Sequence, residues 1–262
     1  MNKLILTLTL TLTTVLAGAA QELTAQQIVE KANLASYYGG EDGKATVNMT
    51  IVDEGGQERK REFVILRLNE ERGGDQRFYV YFKAPADVRK MAYLVWKHVG
   101  AGKEDDRWLW LPSMNLKRRI APGDKRTSFV GSDFLYEDVS GRSITADKHE
   151  LVETTDKHYK LKSTPKKPGN VKFSYFETLI DKETFLPQRA DYYDKDGKHY
   201  RTVEALETKV IDGIPTVTRS KASDLAQGGH TVNEFTQVEY NIGLKKRIFT
   251  ERFLRRPPRE VR

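Results

Sequence analysis

Asp105–Ile120, DDRWLWLPSMNLKRRI, packs two tryptophans and two leucines into four consecutive residues, turns at Pro112 and leaves as Lys-Arg-Arg. On a strand, Trp108 and Trp110 project to one face and Leu109 and Leu111 to the other, because successive side chains alternate. Both faces are then apolar, and such a strand needs cover on both sides. After the turn, Leu116, Arg118 and Ile120 share one face, and Lys117 and Arg119 the other. Two readings stand. One is a buried strand with a wet end. The other is an apolar surface edged by cations and suited to an amphiphile.

The first strand upstream is two-faced, and the strands after it carry the same signature. Val47, Met49 and Ile51 alternate with Thr46, Asn48 and Thr50, a half-buried pattern. Beyond the turn at Glu54-Gly55-Gly56, Val64, Leu66 and Leu68 form one face, and Phe63 and Ile65 make the other partly apolar. In QRFYVYFK (76–83), Phe78, Val80 and Phe82 oppose Tyr79 and Tyr81. MAYLVWK (91–97) and RWLWL (107–111) follow. Helices to cover two faces are scarce: one over 24–38 and a short one near 132–138. A strongly curved sheet wrapped around its own helices solves the problem and leaves an apolar interior.

The first helix is well marked. Thr24 and Gln27 form a capping box, with Leu23 and Ile28 at the staple positions. Ile28, Ala32 and Ala35 make the stripe, and Gly39-Gly40 ends it. In the second half, VKFSYFETLI (171–180), FLPQRADYY (185–193), KHYRTVEALETKVI (198–211) and IPTVTRSKASDL (214–225) read as strands of one antiparallel meander. Asp181-Lys182, Asp196-Gly197 and Asp212-Gly213 separate them, and Asp-Gly between alternating runs is a strong hairpin signal. The tail, FLRRPPREVR (253–262), is basic and is expected to fray over about 255–262.

Residues 1–20 read as a secretory signal peptide. Lys3 precedes an apolar run from Leu4 to Leu16, and Ala17-Gly18-Ala19-Ala20 supplies the cleavage site. Five threonines interrupt that run, which disfavours a retained anchor. The expected product is one domain over 21–262, exported to a periplasm. Cysteine is absent, so no disulfide and no lipidated N-terminal cysteine is possible. The formal charge is +7, and residues 83–126 hold eleven Lys/Arg against five Asp/Glu. That local excess brackets the tryptophans and suits phosphate-bearing partners. Export makes lipid the better partner and nucleic acid the poorer one.

Enzyme chemistry finds little support. The five histidines show no metal-ligand spacing, and there is no thiol. Gly131-Ser132-Asp133 lacks the glycines of a nucleophile elbow. Gly100-Ala101-Gly102-Lys103 lacks the spacing of a phosphate loop, and Asp105-Asp106 reads as a solvated loop end. The expectation is a non-enzymatic protein with no catalytic residue, metal or cofactor.

DDRWLWLPSMNLKRRI and the following GSDFLYEDV resemble the outer-membrane lipoprotein-sorting protein family, related to the LolA/LolB-like carriers. IDKETFLPQRADYYDKDGKHYRTVEA is similar to a hairpin segment of the same group. The resemblance implies a mainly β (α+β) fold: an incomplete antiparallel barrel, apolar inside and lidded by helices. It implies a periplasmic carrier of lipid, lipoprotein or another amphiphile, with transient membrane contact. Some family members look like companions of inner-membrane exporters, so a non-enzymatic accessory subunit is the alternative.

On this reading Phe78, Phe82, Leu94, Trp96, Trp108 and Trp110 are the cavity candidates. Lys117, Arg118 and Arg119 would meet an anionic headgroup or partner. Phe134, Leu135 and Tyr136 would form the lid. Which face of the sheet meets ligand is left open by alternation alone.

Overall fold

Two runs of antiparallel strands, joined where the first strand of one pairs with the last strand of the other, form a single sheet in this computed structural model, which describes residues 22–100 and 102–262. The proposed signal peptide lies outside the described residues. The first run comprises β1 (Asp42–Val52), β2 (Glu58–Asn69), β3 (Gln76–Ala84), β4 (Ala92–Lys97), β5 (Asp106–Leu111) and β6 (Leu116–Arg119). The second comprises β7 (Asp147–Thr154), β8 (His158–Pro165), β9 (Tyr175–Asp181), β10 (Pro187–Tyr193), β11 (His199–Ile211), β12 (Ile214–Asp224) and β13 (His230–Tyr240).

The order across the sheet is β6-β5-β4-β3-β2-β1-β13-β12-β11-β10-β9-β8-β7. Every pairing is antiparallel. The end strands β6 and β7 do not pair with each other, so the barrel is incomplete, as expected. The chain passes between those two edges through residues 120–146.

Alternation sorts the first half into two clusters. Val47, Met49, Ile51, Phe63, Phe78, Val80, Phe82, Tyr93, Val95 and Leu109 form the inner one, with Phe129, Phe134 and Tyr136 from the crossing segment. Val64, Leu66, Tyr79, Tyr81, Leu94 and Trp108 form the outer one. The cover of that outer face comes from the C-terminus: Leu244, Ile248, Phe249, Leu254 and Val261 are buried against it. The tail expected to fray therefore folds back instead. Short helices, α3 (Arg252–Arg255) among them, carry it across the sheet.

Helix α1 (Ala25–Tyr37) forms with the expected capping box at Thr24 and Gln27. Ile28 and Ala32 are buried against Leu161 and Ile180, so the helix roofs the second-half strands. The second short helix, α2 (Tyr136–Ser140), starts later than the sequence suggests. Ser132 and Asp133 do not cap it. Ser132 donates its hydroxyl to the Phe129 carbonyl, while Asp138 accepts the Leu135 N–H at 2.7 Å. Gly141 follows at φ 76°, where a Cβ would lie 2.6 Å from the Tyr37 ring. Both the left-handed backbone and that close approach require glycine.

The Asp212-Gly213 turn is as expected, with both residues at positive φ. Strands β7, β8 and β13 are not evident in the sequence. β7 has one exposed side chain after another, and β13 breaks its alternation at Gln237, where φ is 48°.

Candidate functional site

Between the inner face, α1 and the crossing segment lies an open cavity of about 1670 Å³. Its first-half wall is bulky and apolar: Ile51, Phe63, Ile65, Phe78 and Val80, with Phe129 and Phe134. Its second-half floor mixes small groups, Thr178, Ala190, Val203, Ala205, Ser220 and Asn233, with large ones such as Phe176, Tyr192 and Phe235. Val29, Ala32 and Ala35 of α1 close it from above.

A third zone is ionic. Asp138 pairs with Arg201, whose guanidinium lies over the Tyr192 ring at 5.0 Å. Burial pushes the Asp138 carboxyl above the usual carboxylate range, although the Arg201 cation opposes this. Glu137 receives Arg126 through two hydrogen bonds of 2.9 and 3.1 Å, with Arg142 at 3.6 Å. Arg142 in turn makes two 2.7 Å hydrogen bonds to Asp147. With Lys125, 3.9 Å from Glu137 and 2.9 Å from Glu104, four cations face four carboxylates, and the zone balances its own charge. Burial pushes the Tyr192 phenol up to about 12, so it remains a neutral donor.

His149 and Ser163, partners across β7 and β8, also line the cavity. Ser163 Oγ lies 2.8 Å from His149 Nδ1, and His149 Nε2 lies 2.9 Å from the Ile144 carbonyl. A ring held by a carbonyl at Nε2 donates there and accepts the serine hydroxyl at Nδ1. The pair ties the edge strand to its neighbour.

The structure divides the six apolar residues singled out from sequence. Phe78 lines the cavity. Phe82 shares its face but lies in the packed wall, with ring centroids 5.1 Å from Phe63 and 5.8 Å from Phe129. Leu94, Trp96, Trp108 and Trp110 lie on the opposite face, within the cluster covered by the C-terminal segment. Their expected place on the cavity wall is therefore corrected. The register pairs Leu94 with Trp108 and Ala92 with Trp110, so all share the parity of Tyr79 rather than of Phe78.

The cations of β6 are also outside the cavity. Lys117 pairs with Glu251, Arg119 with Asp106, and Arg118 approaches Asp124 at 3.6 Å. All four residues of β6 are exposed. Among the three lid residues, Phe134 and Leu135 line the cavity. Tyr136 is buried behind them, 5.1 Å from Tyr93 and 5.4 Å from Phe129.

Several lining groups were missed in the sequence: the Arg126–Glu137–Arg142–Asp147 chain, the Arg201–Asp138 pair and Asn233. Arg201 and Asp138 lie 63 residues apart, and the Arg126–Glu137 and Arg142–Asp147 partners, though only 11 and 5 residues apart, follow no periodic pattern. An Arg on a strand carries no signal that a carboxylate from a distant segment will meet it.

A family model described only as "Uncharacterized protein"-like matches residues 74–256. No curated protein matches the chain. Among solved structures, a DUF1329 family protein from Desulfovibrio piger is 30% identical, covering 88% of this chain and 97% of its own, with a TM-score of 0.80. A Vibrio parahaemolyticus protein described as an outer membrane lipoprotein-sorting protein domain is 23% identical, covering 88% and 98%, with a TM-score of 0.79. A LolA superfamily protein from Nitrosomonas europaea is 21% identical, covering 88% and 100%, with a TM-score of 0.68. The last two share the fold, and the half-barrel expected from the sequence is LolA-like.

Proposed function

The chain belongs to the DUF1329 family, and on that premise we propose that it is a periplasmic carrier holding the apolar part of an amphiphile inside its half-barrel. The observation that carries this reading is the cavity, about 1670 Å³ and walled by Ile51, Phe63, Ile65, Phe78 and Val80. It exceeds the roughly 300–1,000 Å³ typical of small-molecule pockets. Each CH₂ transferred into it contributes about 0.8 kcal/mol, so a long chain binds without specific polar contacts. The self-neutralised ionic zone supports a role in shaping the cavity rather than in capturing a charged headgroup. Lys117, Arg118 and Arg119 are exposed on an edge strand, a placement that supports contact with an anionic bilayer surface during transfer. The signal-peptide reading of residues 1–20 supports export. The carrier is non-enzymatic on this reading.

A second reading makes the chain an accessory subunit of an inner-membrane exporter. The unpaired edge β6 favours it, with Met114 67% and Leu116 41% exposed beside it.

Native mass spectrometry of the protein purified from its own envelope, followed by solvent extraction, tests both. A bound lipid or lipopeptide supports the carrier and identifies the cargo class. An apo mass, with no uptake of added acyl ligands, refutes the carrier and favours the subunit.

A further inference from the structure

Among the polar residues of the cavity floor, Asn233 is one that a simple acyl pocket does not require. Asn233 on β13 is 7% exposed and lines the cavity, yet its Oδ1 is buried without a hydrogen-bond partner among the described residues. A buried acceptor left unpaired is more unfavourable than a made hydrogen bond is favourable. The neighbours explain why the chain itself does not satisfy it. Across β1 the partner is Met49, and across β12 it is Ser220, which in turn faces Ala205 on β11. On β13 itself the flanking residues of the same face are Thr231 and Phe235. Thr231 is already committed: its Oγ1 donates to Asp133 Oδ2 at 2.6 Å and accepts the Asp133 N–H at 3.0 Å. The cross-strand partners of those two flanking positions are apolar, Ala222 opposite Thr231 and Val47 opposite Phe235. A leucine would suit this environment better than asparagine if the cargo were hydrocarbon alone.

We propose that Asn233, with Ser220 beside it, is a hydrogen-bonding subsite for a hydroxyl group borne on the apolar body of the cargo. The inference rests on the carrier reading and names a class of cargo within it: a hydroxylated amphiphile. A hydroxyl both donates and accepts at one atom. It can therefore pair with whichever end of the Asn233 amide is turned to the cavity, oxygen or nitrogen. The small side chains at Ala205 and Ser220 leave room for a substituent there. The bulky first-half wall, Phe63, Ile65 and Phe78, takes the unsubstituted part.

The test uses the purified mature protein and a bound fluorescent naphthylamine reporter. The competitors are octadecanoic acid and a set of its mono-hydroxylated isomers, with the hydroxyl at successive positions. One or more isomers should displace the reporter about three- to tenfold more strongly than octadecanoic acid, the gain of one net hydrogen bond. Asn233→Leu should abolish that preference while binding octadecanoic acid at least as well as the native protein. Asn233→Ala serves as the second variant, and its unchanged melting temperature shows that folding is intact. The proposal is overturned if octadecanoic acid binds but no isomer is preferred, or if the preference survives both substitutions. If no acid displaces the reporter from the native protein, the carrier reading itself fails, and the subsite with it.

Discussion

Trp96 donates its indole N–H to the carbonyl oxygen of Phe249 at 2.7 Å. That bond joins the tryptophan-rich block to the C-terminal segment and places it on the face away from the cavity. Tyr79 does the same with the Phe253 carbonyl at 2.7 Å, and the Asp42 carboxylate accepts the N–H groups of Ile242 and Leu244 at 2.8 and 2.7 Å. The segment is thus part of the folded core.

Phe249 is 1% exposed within the outer cluster. Phe249→Ala should destabilise the protein by about 3–5 kcal/mol, as truncation of a buried aromatic does. Urea unfolding gives the magnitude. Tryptophan fluorescence of the folded variant should shift to the red, because Trp96 loses its cover; unchanged emission would place the tryptophans elsewhere.

The buried pair of Arg201 and Asp138 holds α2 against β11. Arg201→Met strands a carboxylate away from water and should cost about 3–5 kcal/mol. Adding Asp138→Leu should recover much of that loss, since no charge is then left unpaired. A double-mutant cycle by chemical denaturation measures both, and additive losses would contradict the pairing.

Lys97 is 4% exposed and donates to the Ser140 carbonyl. Burial lowers its pKa to about 8 from 10.5, against the opposing pull of Asp105. The folded state therefore binds fewer protons than the unfolded state between those values, and Lys97 contributes stability that grows as pH rises above about 8. Above pH 10 the buried tyrosines act in the opposite sense. Burial raises Tyr38 and Tyr192 to about 12, so the folded chain retains protons that the unfolded chain releases. Stability should thus rise from pH 8 to 10 and then fall. Lys97→Met should remove the rise and leave the fall, as read by thermal melts across that range.

Arg118 and Arg119 have side chains 56% and 68% exposed. Reversing both to Glu should change stability by no more than about 1 kcal/mol, the range of exposed ion pairs. Transfer of a fluorescent fatty acid from anionic vesicles should slow markedly at low salt. The difference should shrink as ionic strength rises, because exposed charges are screened. Equal rates at low salt would remove these cations from membrane contact.

Much of the fold was legible locally. The capping box at Thr24 and Gln27 sets where α1 starts, and Asp212-Gly213 sets a hairpin, because both depend on contacts within a few residues. Strand β13 was hidden because a partner from the far end of the chain, β1, helps hold it in the sheet, and β7 because its exposed side chains carry no apolar pattern. The Arg201–Asp138 pair and Asn233 were hidden for the reason that hid β13. Their meaning lies in which distant groups do, or do not, come within hydrogen-bonding distance.

By itself, the sequence determined which residues share a face: Trp108 with Trp110, Phe78 with Phe82, and Leu109 with Leu111. A strand's period of two permits no other grouping. It left open which face encloses the cavity, since the two sides of a strand with apolar groups on both are equivalent until something covers one of them. Only the tertiary structure decided that. The C-terminal segment packs onto the tryptophan face and fills it, and the crossing segment with α1 stands off the other, leaving the space beside Phe78 open.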